Sequence, residues 1–144
     1  MHTPLTEAER RTLATVAGMM VPASIQYAVP GADDPAIIDD ICATLGRDTA
    51  DVRAALAALG PLADLDAPAR DAAADQFRAT GGAPLATLTR VILQCYYRDD
   101  RVVRSLGREP RPPFPKGNVL EQGDWSLLDP VRARAPFWRG APST

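Results

Sequence analysis

The sequence contains very little of what catalysis and metal binding require. Its 144 residues include one histidine, His2, and two cysteines, Cys42 and Cys95, which stand far apart. A histidine at the chain terminus is a poor general base because nothing orients it, which excludes a Ser–His–Asp or Cys–His site within this chain. Zinc and iron–sulfur sites need clustered histidines and cysteines, which are also missing. We therefore expect no catalytic residues and no metal ligands here.

The sequence also lacks a nucleotide-binding loop, a positive net charge and a long apolar segment, and each absence excludes a class of function. Gly81, Gly82 and Gly117 lack the surrounding pattern of a nucleotide-binding loop, so they indicate turns and no cofactor is expected in this chain. The formal net charge of -2 supplies no overall positive field that would attract nucleic acid. Charge or proline interrupts the apolar stretches well before the roughly 20 residues that span a bilayer, so we expect no transmembrane helix.

The composition changes near residue 106. Seven of the fourteen prolines lie in residues 107–144, whereas 22 of the 25 alanines come before them. A chain of 144 residues is large enough for one hydrophobic core, and two full domains are not expected. We therefore predict a helical bundle domain at residues 1–106 and an extended C-terminal arm at residues 107–144.

The alanine-rich part predicts an all-α fold, a small bundle of about five helices, because its apolar residues recur at helical spacing. Thr6 and Glu9 match a capping box that starts the first helix, and Pro22 ends it. The fifth helix carries the broadest apolar stripe, as a central bundle helix requires. The other boundaries are predicted at Gly46, Gly60, Pro68 and Pro84.

Two sets of reactive side chains fall within this bundle. Cys42 and Cys95 lie on apolar helix faces, where a reduced, buried thiol is the commoner state. A disulfide between them stays open as an alternative if the second and fifth helices are neighbours. Aspartate pairs occur at residues 33–34, 39–40 and 99–100. We interpret the first pair as a complement to a helix dipole and the others as solvated surface.

One segment imitates an export signal. Arg10 and Arg11 precede a moderately apolar run, which is the outline of a twin-arginine leader. Glu7 and Glu9 are acidic where a leader is basic, and the capping box accounts for the same residues. We therefore interpret this segment as an amphipathic helix.

The arm is rich in aromatic residues, unlike ordinary disordered tails. It holds four of the eight aromatics in the chain, namely Phe114, Trp125, Phe137 and Trp138. Such an arm could fold back over the apolar faces of its own bundle. It could equally lie on another protein, because Trp and Arg often anchor interfaces and proline reduces the entropy lost on binding.

Several short strings resemble one protein family. Residues 5–13 and 20–23 are similar to the start of the mature small subunit of gluconate 2-dehydrogenase-type flavoprotein complexes. The C-terminal signature of that subunit resembles, in order, residues 96–97, 102–109, 112–117, 123–132 and 138–139. The middle of the chain matches by helical character alone.

The resemblance implies a partner that performs the chemistry. Such small, or gamma, subunits accompany a large subunit of the glucose–methanol–choline oxidoreductase type, which carries FAD and oxidises a sugar, glycoside, sugar acid or related alcohol. A cytochrome c subunit often accepts the electrons. The small subunit supports folding, stability and flavin loading of the large one. The resemblance implies a periplasmic complex, and a cytoplasmic one would follow if no leader precedes Leu5.

We expect the arm to bind along the surface of the catalytic subunit. The predicted anchors are Phe114, Trp125, Phe137 and Trp138, and the predicted hydrogen-bonding or ionic partners are Tyr96, Tyr97, Arg108, Arg132, Arg134 and Arg139. The alternative is a free-standing helical adaptor or regulator whose tail packs on its own bundle. A small cofactor-independent enzyme that uses the aspartates has little in its favour, since a catalytic dyad would have to be buried.

Overall fold

The computed structural model describes residues 4–111, 117 and 122–135. The chain divides into two units, Met1–Pro110 and Arg111–Thr144. The sequence places this boundary after residue 106, but backbone hydrogen bonds attach the next residues to the last helix of the first unit. Gly107 N–H donates to the Arg104 carbonyl at 2.9 Å, and Arg108 N–H donates to the Val103 carbonyl at 3.2 Å.

The first unit is a helical bundle, so the all-α prediction is confirmed. Its helices are α1 (Glu7–Met20), α2 (Pro35–Thr44), α3 (Thr49–Leu59), α4 (Ala67–Thr80), α5 (Ala83–Arg98) and α6 (Asp100–Ser105). Short 3-10 helices cover Gly46–Asp48 and Leu62–Asp64. Within the described ranges there is no strand, and a single antiparallel bridge joins Ser24 to Val29.

The described part of the second unit contains two short helices. A 3-10 helix covers Trp125–Leu128 and leads into α7 (Asp129–Arg132). Asp124 caps this segment by accepting a hydrogen bond from Ser126 N–H at 3.0 Å. Pro130 stands in the first turn of α7, where its fixed φ suits a helix and no N–H is needed.

The helix ends follow the local chemistry of the sequence. In the capping box of α1, Glu9 N–H donates to Thr6 Oγ1 at 3.2 Å and Thr6 N–H donates to Glu9 Oε2 at 2.6 Å. α1 ends at Met20, shortly before Pro22. Gly60, which follows α3, has φ +61°, a left-handed conformation that residues with a Cβ adopt at a cost.

The hydrophobic core belongs to the first unit, because its residues run from Leu5 to Val102. α5 packs against α3 and α2, and α1 packs against α3 and α2. The largest fully buried side chains are Leu13, Ile37, Ile41, Val52, Leu62, Leu88 and Ile92. Truncating a buried leucine or isoleucine to alanine typically costs about 2–5 kcal/mol, so these contacts determine whether the bundle folds.

Ion pairs hold α2 between its two neighbours. Arg10 of α1 pairs with Asp39, and Arg98 of α5 donates from Nε to Asp40 Oδ2 at 2.6 Å. The same guanidinium donates from Nη2 to Thr44 Oγ1 at 3.0 Å. The side chains of Asp39 and Asp40 are exposed, as expected. Their ion pairs also help to fix the position of α2.

Arg101 connects the starts of two helices. It donates two hydrogen bonds to Asp34, at 2.9 and 3.0 Å, and two to Asp99, at 3.0 and 2.9 Å. Asp34 caps α2 by accepting from Ala36 N–H, and Asp99 caps α6 by accepting from Arg101 N–H. The hydrogen bonds from Arg101 hold the pKa of both carboxyl groups below the ordinary range, and both carboxylates raise the pKa of Arg101.

We predict that Arg101→Gln lowers the free energy of unfolding by about 1–2 kcal/mol at pH 7, a modest loss because this surface arginine is 44% exposed. The two aspartates titrate lower in the folded than in the unfolded chain. Their contribution is therefore complete above about pH 5 and is lost as the pH falls through their folded pKa values. Urea unfolding, followed by circular dichroism across pH, measures this difference.

Arg104→Gln is the matched control. It breaks an exposed pair within α6, between Arg104 and Asp100, and we expect a change of at most about 0.5 kcal/mol. A loss in Arg101→Gln that does not shrink on acidification would contradict the assignment.

Candidate partner interface

The described segment of the arm presents large apolar side chains to solvent. Trp125 is 62% exposed, Leu127 75% and Val131 55%, and no residue from 122 to 135 is buried. Asp124 fixes the start of the segment, because its Oδ1 accepts from both the backbone N–H and the hydroxyl of Ser126. These two bonds also lower the pKa of Asp124. The backbone of the segment is thus held by local hydrogen bonds, whereas its apolar side chains are exposed to solvent.

Apart from Tyr96, the predicted interface residues fall into three groups. Trp125, Arg132 and Arg134 lie together in this segment and are exposed. Tyr97 and Arg108 are exposed in the first unit. The predicted anchors Phe114, Phe137 and Trp138, together with Arg139, lie outside the described residues.

Tyr96 has a different environment from its neighbour. It is 5% exposed and belongs to the core, whereas Tyr97 is 55% exposed. The two rings meet edge to face, with centroids 5.2 Å apart. Burial raises the pKa of Tyr96, with smaller contributions from Tyr97 and Asp99. Of this tyrosine pair, Tyr97 therefore stays accessible at the surface, whereas Tyr96 packs in the core of the bundle.

Both cysteines are free thiols, Cys95 buried and Cys42 partly buried. The Cys95 Sγ lies 3.7 Å from Thr44 Oγ1 of α2, whereas Cys42 lies near Arg10 and Asp39. Positions 42 and 44 are separated by about 200° around a helix, so α2 directs Cys42 away from the side that faces Cys95. Burial raises the pKa of both thiols.

We predict that mild oxidation forms no intramolecular disulfide and that Cys95 stays unreactive toward a thiol reagent at pH 8 in the native protein. Cys42 should react slowly, since it is partly accessible but its pKa is raised. Titration with Ellman's reagent, before and after urea is added, measures both thiols. Cys42→Ser and Cys95→Ser assign the two rates, and a cross-link between positions 42 and 95 would contradict the geometry.

The loop between α1 and α2 carries exposed apolar residues that the sequence did not single out. Ser24 and Val29 exchange two backbone hydrogen bonds, each 3.1 Å long, and close a tight turn. At its tip Ile25 is 100% exposed and Tyr27 is 65% exposed. Ala28 has φ +52°, a strained backbone conformation for a residue with a Cβ. The sequence does contain a signal for this exposed site, because Ile25 and Tyr27 lie in a short segment between Pro22 and Pro30.

Within the described part of the chain, no group of three or more histidine, cysteine, aspartate or glutamate residues could hold a metal ion. The helices described there are too short or too polar to cross a membrane.

Comparison with known proteins gives no assignment. No protein-family model matches the chain, and no curated protein and no solved structure is significantly similar to it.

Proposed function

We propose that this chain is the non-catalytic small subunit of a heteromeric FAD-dependent dehydrogenase whose large subunit is of the glucose–methanol–choline type. The large subunit would bind FAD and oxidise a sugar, glycoside, sugar acid or related alcohol, and a cytochrome c subunit would accept the electrons. The present chain would support folding, stability and flavin loading of that partner. The resemblance of residues 96–139 to the small-subunit signature supports this assignment.

The exposed arm segment is the observation that carries the proposal. Trp125, Leu127 and Val131 are each more than half exposed, although large apolar side chains normally lose water contact on folding. An isolated helix of fewer than about 12 residues is marginal in water, so a segment of eight residues with no buried side chain is expected to gain stability from a surface outside itself. A protein partner supplies such a surface.

The local bonds of the segment would make that binding more favourable. Asp124 and Pro130 fix the backbone at the starts of the two short helices. A backbone ordered before contact loses less entropy in the complex. Trp125 would serve as the buried anchor, and Arg132 and Arg134 would contribute hydrogen bonds around it. An arm of this kind could bury more than about 2,000 Å², the size at which obligate interfaces begin.

We predict that removal of residues 111–144 abolishes co-purification with the large subunit and its flavin loading. The bundle should stay soluble and helical, because its core ends at Val102 and the hydrogen bonds of Gly107 and Arg108 are retained. The test is co-expression with the neighbouring reading frame, which the proposal predicts to encode the large flavoprotein subunit, followed by affinity purification and the flavin absorbance spectrum. Recovery of a stoichiometric flavoprotein complex after the truncation would overturn the proposal.

A double variant tests the segment without removing the arm. Trp125→Ala with Leu127→Ala should reduce complex recovery about tenfold or more, since truncating an interfacial hot spot costs about 2 kcal/mol or more. Ala135→Ser, at an exposed position of the same segment, should leave recovery unchanged. Two measurements on the chain alone test the alternative of a free-standing adaptor. Such an adaptor would be a monomer in size-exclusion chromatography, and its tryptophan fluorescence would be protected from acrylamide quenching.

A further inference from the structure

α4 is attached to the bundle more weakly than the other long helices. Phe77 is the only one of its fourteen residues that is buried, whereas α1, α2, α3 and α5 bury between three and five residues each. On the same side of the helix Ala69, Ala73 and Ala74 are half-buried. Alanine side chains bury little apolar area, so Phe77 supplies most of the hydrophobic attachment of α4.

Polar side chains do not connect α4 to the other helices either. Ion pairs join α1 to α2, α1 to α3 and α2 to α5. In α4, by contrast, Arg78 pairs with Asp75 of the same helix, and the Thr80 hydroxyl donates to the Gln76 carbonyl one turn earlier. Among the residues that the structure describes, no side-chain hydrogen bond or ion pair links α4 to another helix.

A cavity of about 780 Å³ lies between α4 and the rest of the bundle. Ala74 and Phe77 of α4 line one side of it, and Met19, Leu85 and Leu88 of α1 and α5 line the other. Close-packed protein interiors have few voids larger than a water molecule. A cavity of this size therefore shows that α4 covers the apolar surface beneath it without packing closely against it.

Two glycines form the whole connection between α4 and α5. Gly81 has φ +66° and ψ -153°, and Gly82 has φ +91° and ψ 179°. Both conformations are almost exclusive to glycine. A Cβ at Gly81 would meet no atom within 4 Å, so side-chain packing does not hold this link. Hinges are typically a few residues between elements that absorb a change in φ and ψ, and this connection has those properties.

We propose that α4 is a hinged wall of the cavity. It moves away from the bundle as one unit, about Gly81 and Gly82, while α1, α2, α3 and α5 stay packed. Opening removes Phe77 from the core and gives solvent access to the cavity. A detached helix of this length is marginal in water, so the released segment also unwinds and exchanges its amide hydrogens. The device lies within the first unit and does not depend on the proposed partner.

Native-state hydrogen exchange of the full chain tests the proposal. Beyond the first turn of each helix, amides of α4 should exchange at least about tenfold faster than those of α5, because a local opening requires less free energy than global unfolding. Their exchange should also depend less on urea, since the opening exposes less surface. Equal protection and equal urea dependence in the two helices would overturn the proposal.

A core variant far from α4 separates local opening from global unfolding. Ile41→Val, at a fully buried position of α2, should accelerate exchange in α5 about threefold or more, because removal of a buried methyl group destabilises the packed bundle. Exchange in α4 should be unchanged, since α2 stays packed when α4 opens. Equal acceleration in α4 and α5 would show that α4 opens only when the whole bundle unfolds, which contradicts the proposal.

Ala74→Leu tests whether the cavity controls the opening. The larger apolar side chain should occupy part of the cavity and hold α4 closed, so exchange in α4 should slow about tenfold. Ala72→Leu is the matched control, because residue 72 is exposed on the same helix and does not line the cavity. It should leave exchange in α4 unchanged. The same effect from both variants would argue against control by the cavity and would overturn the proposal.

Discussion

Burial of the apolar stripe of α5 is the constraint on which the rest of the bundle depends. Leu88 and Ile92 are almost completely buried, and they lie on a helix that packs against both α2 and α3. α1 in turn packs on α2 and α3, the same two helices that contact α5. One hydrophobic core suits a chain of this length, because little apolar surface remains for a second core. The arm residues that the structure describes accordingly do not belong to the core cluster.

The charged residues then select one arrangement of these helices from the many that hydrophobic burial alone would allow. Burial is non-directional, whereas an arginine fork requires a carboxylate at a defined distance and orientation. Consecutive aspartates on α2 pair with Arg10 on one side and Arg98 on the other, which fixes the rotation of α2 about its axis. Arg101 adds a connection between two helix N-termini.

The sequence was a good guide wherever a boundary depends on local chemistry. The capping box of α1, the glycine after α3 and the prolines in the first turns of α4 and α5 all act within a few residues, so the five long helices could be predicted. α6 was missed because its six residues are too few for a periodic pattern, although its cap, Asp99, accepts from a backbone N–H only two residues away. The short helices at residues 125–132 were not predicted, because the many prolines of the arm indicate an extended chain. Pro130 alone was a helix signal, since proline is favoured in a first turn. Tyr96 shares the buried face of α5 with Leu88 and Ile92, as its helical spacing indicates, so its prediction as a partner contact is at odds with its place in the apolar stripe.

Exposed apolar side chains occur in both units of the chain. Trp125 and Leu127 lie open in the described part of one unit, and Ile25 stands fully exposed in the other. Large exposed apolar side chains often mark surfaces that bind other proteins. Under the proposed function both surfaces would contact the large subunit, and engagement of one would then raise the local concentration of the other.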